Sequence, residues 1–161
     1  AYEEGEVEKQ AEVYNPDDPK QYWNMHTDGQ FVRVAARNAA IQMAVHDEIF
    51  YQMAKNDGTA LNEEEQKELE NKIGDFWSDL TERNGEDGLG ITKDDIADTM
   101  SRIALAEKYQ YIYEELQNAD HGDYDFSGEA YGQLKEKNKC KIYRNVWSRI
   151  SFGNVTIGVE S

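Results

Sequence analysis

One stretch constrains the fold of this chain more than any other. From Thr27 to Asn56 the sequence carries a helical pattern, breaks on Asn56-Asp57-Gly58, and restarts within a few residues as Leu61-Asn62-Glu63-Glu64-Glu65. Asn, Asp and Gly tolerate the left-handed backbone that closes a helix. Asn62 followed three residues later by Glu65 is a capping-box pattern, in which each side chain satisfies an orphan backbone N–H of the other. Glu63, Glu64 and Glu65 sit where the helix dipole is positive, which favours each carboxylate by about 0.3–1 kcal/mol. Two long helices joined by a small-residue turn predict a helical scaffold that offers surfaces rather than a pocket built for chemistry.

The flanking patterns extend that reading. Thr27 with Gln30 reads as a second capping box opening the first long helix. Phe31, Val34, Ile41, Val45, Ile49 and Met53 make its apolar stripe, and Ala35, Ala39 and Ala44 thin it where another element approaches. About 29 residues of helix span roughly 43 Å. Leu69, Ile73, Phe76 and Leu80 fall at i, i+4, i+7 and i+11, one buried face of the second helix. After the glycine-rich connection 84–90, Ile91 and Ile96 form a hydrophobic staple around a Thr92 cap. The third helix carries apolar residues on more than one face and ends at 118–122. A short helix is expected from Ser127 to Lys137. Val155 to Val159 alternates with period two and reads as a strand. A lone strand leaves an unpaired edge, to be met by residues 5–14 or by a second copy of the chain.

The expected fold is therefore mainly α: a long N-terminal helix plus helical arms, with a short C-terminal β-strand. Residues 1–26, acidic and holding both prolines, read as an extended acidic arm anchored through Tyr22 and Trp23. Residues 27–118 form the helical body, and 119–161 complete the same domain with the short helix and strand.

Composition narrows the function classes. Lys and Arg total 17 against 33 Asp and Glu, a net charge of −16 over 161 residues. A field of that sign repels phosphate backbones and anionic lipid, which argues against a nucleic-acid or basic-patch membrane partner. No run approaches the ~18 apolar residues of a membrane span. The chain starts Ala1-Tyr2-Glu3 without Met, which reads as a mature form whose leader or lipid anchor lay upstream. The single cysteine, Cys140, has no partner for an internal disulfide and no neighbouring His, so a thiolate site is not expected there.

Few constellations carry chemistry. Asp123, Asp125 and Ser127, with Glu129 beyond Gly128, start like a calcium loop, with oxygen ligands at positions 1, 3 and 5 and Gly at 6. Position 12 is Leu134, where the loop needs a bidentate Glu. The competing reading is that Asp125 or Ser127 caps the short helix. His26, His46 and His121 lack a second His at helical metal spacing. Phosphate loops, nucleophile elbows and His-Glu-x-x-His are absent, and no cofactor is expected. The aromatics are more suggestive. Phe50, Met53, Phe76, Trp77, Tyr109, Tyr111 and Tyr113 read either as ordinary core or as an apolar cradle for extended segments.

Residues 44–58, Ala44-Val45-His46-Asp47-Glu48-Ile49-Phe50-Tyr51-Gln52-Met53-Ala54-Lys55-Asn56-Asp57-Gly58, resemble the helix end of SurA-like and PrsA-like chaperone domains. So do the restart at 61–65, Gly90-Ile91-Thr92-Lys93-Asp94-Asp95-Ile96, and the stretch 103–109. The resemblance covers roughly residues 27–118, as a pattern of helix ends and spacings. It implies a SurA N-terminal or trigger-factor-like helical fold. It also implies chaperone-like binding of unfolded or secreted polypeptides outside the cytoplasmic membrane, often from a lipid anchor, on a Gram-positive cell surface. Many members carry a parvulin-type prolyl isomerase domain, but the roughly 43 residues after position 118 are too few for one, so no catalysis is expected. The seven aromatic and Met residues above would be the client-binding set. A homodimer formed by exchange of strand or arm is a further expectation. The alternatives are a structural or assembly protein of the cell surface and a weak calcium-binding interaction module.

Overall fold

The computed structural model describes residues 2–14, 19–27, 29–85, 89–120 and 122–150. Its elements in chain order begin with α1 (Tyr2–Tyr14), a 3-10 helix (Pro19–Asn24), and strands β1 (His26–Thr27) and β2 (Gln30–Phe31). The helices α2 (Val32–Asp57), α3 (Glu63–Asn84), α4 (Lys93–Gln117), α5 (Glu129–Lys137) and α6 (Arg144–Trp147) follow. The protein is mainly α, with one two-stranded antiparallel sheet among the described residues. The strand expected at 155–159 lies outside the described residues.

The chain divides into two compact units. The first holds Ala1–Ile41, Asp75–Thr92 and Ile142–Ser161, and the second holds Gln42–Gly74 and Lys93–Lys141. Helices α2 and α3 each supply residues to both.

Several helix ends form as the local sequence dictates. At the end of α2, the Gly58 N–H donates to the Lys55 carbonyl (3.2 Å) and the Thr59 N–H to the Ala54 carbonyl (2.9 Å). Gly58 sits at φ 72°, so this is a Schellman close, at which glycine carries no Cβ penalty. Asn118, at φ 49°, closes α4 the same way, with the Ala119 N–H on the Glu114 carbonyl at 3.0 Å. The α3 capping box is reciprocal. The Glu65 N–H donates to Asn62 Oδ1 (2.9 Å) and the Asn62 N–H to Glu65 Oε2 (2.7 Å).

Two expectations at the N-terminal end are corrected. Residues 2–14 are helical rather than extended. Val7, Ala11 and Tyr14 fall at i, i+4 and i+7, and Ala11 is fully buried. Tyr22 Oη donates to Gln10 Oε1 at 2.9 Å, tying α1 to the 3-10 helix. Second, Thr27 and Gln30 do not cap a helix. They pair across a hairpin, as do His26 and Phe31, and Gly29 turns it at φ 85°. Their backbones serve the ladder, so α2 begins at Val32, whose N–H donates to the Met25 carbonyl at 2.9 Å. That start rotates the phase of the first turns. Val32 and Ala36 are buried there, while Phe31 and Val34 are exposed.

In the second unit, Ile49, Phe50 and Ala54 of α2, Ala106 and Tyr109 of α4, and Tyr131 and Leu134 of α5 form one buried apolar cluster. Fully burying a Leu or Phe side chain contributes about 1.5–3 kcal/mol, so this cluster sets the spacing of the three helices. The predicted α3 stripe holds at Leu69, Ile73 and Leu80, which are buried, and in part at Phe76.

Candidate functional site

The structure partitions the predicted contact residues by burial. Phe50 is 0% and Tyr109 is 4% exposed, which makes both core rather than contact surface. Met53 and Tyr113 pack against the same cluster, partly buried. Phe50 meets Tyr113 edge-on at 6.1 Å, and Tyr113 stacks on Tyr109 at 6.5 Å. Tyr113 also meets Tyr124 edge-on at 5.0 Å. The fold thus brings four of the seven together in the core, three aromatics and Met53. Tyr111 points away, 57% exposed, as the alternation along α4 predicts. Phe76 and Trp77 belong to the other compact unit and are partly buried.

A polar layer is woven into this cluster. The His46 ring lies between Phe50 and Tyr131, at 4.9 and 4.8 Å. Its Nε2 donates to the Tyr124 carbonyl at 2.9 Å, and Nδ1 faces Asp47 Oδ1 at 3.0 Å. His46 therefore pins the 122–128 loop to α2, a structural role. Tyr109 donates its hydroxyl to Asp57, and burial, together with that carboxylate, pushes its phenol up to about 12. Burial likewise pushes Tyr131 up to about 12. The Tyr131 hydroxyl is buried with no hydrogen-bond partner among the described residues.

The calcium-loop candidates are spent on the loop itself. The Asp123 carboxylate accepts from the Asp120 N–H at 3.2 Å, and Asp125 Oδ1 accepts from Gln110 Nε2 at 2.9 Å. Ser127 and Glu129 are exposed. Among the described residues no group of three or more His, Cys, Asp or Glu side chains is arranged to hold a metal ion. Gly128 is required by close approach, since a Cβ there would meet the Asp123 carbonyl oxygen at 2.1 Å. It is also the residue that caps α5, with no side-chain hydrogen bond from Asp125 or Ser127. Cys140 is exposed. Local desolvation and the nearby Glu48 carboxylate hold its thiol above the ordinary range, the opposite of an activated thiolate.

The surface that sequence reasoning missed lies in the first unit. Val7 and Gln10 of α1, Tyr22 of the 3-10 helix, and Val32, Ala35 and Ala39 of α2 line an open groove of about 310 Å³. A neighbouring shallow groove of about 530 Å³ shares Gln10 and Tyr22 and adds Lys9, Val13 and Tyr14. Val13 is 88% and Tyr14 64% exposed. Both linings are mainly apolar, which suits van der Waals and hydrophobic contact rather than chemistry. The i, i+4, i+7 spacing of Val7, Ala11 and Tyr14 is the signal that could have found them.

Among the described residues no helix is long and apolar enough to cross a membrane. Compared with protein-family models, characterised proteins and solved structures, the chain matches none.

Proposed function

We propose that this chain binds unfolded or extended polypeptides outside the cytoplasmic membrane, as a non-catalytic domain similar to SurA-like and PrsA-like chaperones. The observation that carries this reading is the open apolar groove along α1, the 3-10 helix and the start of α2. Its walls are small or flexible: alanines on α2, and Gln10 and Tyr22 facing them. Such a lining accepts varied side chains without specifying a sequence. α1 carries five glutamates against one lysine, and although that lysine, Lys9, lines the larger groove, the net charge of the helix favours a client whose apolar stretch is flanked by Lys or Arg. The helix-end pattern over residues 27–118 supports the family reading independently of the groove.

The test is light scattering from an aggregating, reduced client protein with the chain present at equal molarity. Suppression is expected, and it should weaken when Val7→Asp or Val13→Asp places a charge in the groove. No suppression at several-fold excess would move the assignment to a structural or assembly role at the cell surface.

A further inference from the structure

The first unit exposes a second apolar surface of opposite charge. Ile142, Val146 and Ile150, spaced four residues apart around α6, are 43%, 56% and 45% exposed. Arg37 of α2 stacks over the Trp147 ring at 5.1 Å and donates to its carbonyl, which holds the segment onto α2 by Trp147. The three aliphatic side chains stay outside. In a chain of net charge −16, no Asp or Glu falls between Ile142 and Ile150, while Arg144 and Arg149 do. α1 carries the complementary features: exposed Val13 and Tyr14 beside the exposed Glu12, on a helix of five glutamates and one lysine, Lys9, which lines the groove and pairs with Glu6 at 3.5 Å.

We infer that residues 142–150 of one copy dock on the α1 groove of a second copy. The groove offers apolar walls on a helix of net negative charge; the segment offers aliphatic side chains beside Arg144 and Arg149. Charge complementarity selects this partner, and the same chain supplies both halves. A reciprocal exchange, each segment on the other copy's groove, closes a two-fold dimer, whereas a one-way contact propagates into an open chain. Dimerisation covers the groove assigned above to clients and so keeps it closed until the dimer dissociates. The interface stands without the client reading, because it is measured by mass rather than by aggregation.

The experiment is multi-angle light scattering of the full chain over a dilution series, with circular dichroism to confirm that each variant is helical. The wild-type chain is expected to run as a dimer that dissociates on dilution and as salt is raised. Arg144→Glu with Arg149→Glu should give a monomer, as should Glu6→Lys with Glu12→Lys. Combining all four substitutions should restore the dimer, which a merely misfolded variant would not do. Val146→Asp should also be monomeric, and if the groove binds clients it should suppress aggregation at least as well as the wild type. A wild-type monomer at every concentration overturns the inference, as does a dimer indifferent to both reversals. A monomer that binds anionic vesicles through 142–150 also overturns it, and assigns the segment to lipid.

Discussion

Tyr109 shows how a single residue can be read two ways and settled by its partner. Its ring is core and its hydroxyl donates to Asp57, a charge-assisted bond between α4 and the last residue of α2. Hydrogen bonds to charged groups contribute about 1.5–3 kcal/mol. Tyr109→Phe is therefore expected to lower the unfolding free energy by about that amount in urea titrations at pH 7. The wild-type phenol is raised from 10 to about 12, so the folded state holds its proton more tightly. That extra stability is fully present below pH 10 and lost as pH rises through about 12; Tyr109→Phe should lack this alkaline loss. Tyr131 is the opposite case. Its buried hydroxyl has no partner among the described residues, and leaving such a group unsatisfied costs about 1–3 kcal/mol. Tyr131→Phe is expected to leave stability unchanged or raise it by up to about 1 kcal/mol. A clear loss in the same titration would reveal a partner for the hydroxyl.

At the scale of elements, the ends of the helices carry the information. The α3 capping box is reinforced by Lys108, whose Nζ donates to Glu65 Oε2 at 2.6 Å and to the Ala60 carbonyl at 3.0 Å. Lys108 and the Asn62 N–H hold the Glu65 carboxyl below its ordinary 4.5. A depressed carboxyl contributes stability above its unfolded value, and that contribution is lost as pH falls through the folded value. Glu65→Gln should thus narrow the gap between neutral and acid stability, as read from melting temperatures between about pH 7 and pH 3. These helix ends were legible because a cap is a contract among neighbours: Asn62 with Glu65, Gly58 with the Lys55 carbonyl and Thr59 with the Ala54 carbonyl. The start of α2 was not legible. Thr27 and Gln30 satisfy a capping box on paper, but the turn at Gly29 lets their backbones pair with each other first.

For the whole molecule, net charge is the dominant physical fact. Thirty-three acids against 17 bases repel one another most strongly in the compact state. Raising salt from about 0.01 M to about 0.15 M shortens the Debye length from about 30 Å to about 8 Å. At protein concentrations where the chain is monomeric, that change is expected to raise the melting temperature; a fall would mean that attractive pairs outweigh the repulsion. Apart from the partly buried Lys108–Glu65 pair, attractive pairs among the described residues include exposed ones such as Lys9 with Glu6 at 3.5 Å and Arg102 with Glu48 at 3.6 Å. Exposed pairs of this kind contribute about 0–1 kcal/mol each.

The sequence by itself determined the helical class, the close of α2, the capped start of α3 and the buried stripe of α3. Each of these depends on residues within a turn or two of one another, so local pattern is sufficient. Tertiary structure alone decided which aromatics are buried. Phe50 and Tyr109 are equivalent to Tyr111 in composition, and only the approach of Ala106, Tyr131 and Leu134 makes the first two core. The groove was also decided there, because α1 is helical where acidity and the two prolines suggested an arm, and its walls come from segments far apart along the chain. Burial is a property of partners, and partners separated by tens of residues leave no local mark on the sequence that brings them together.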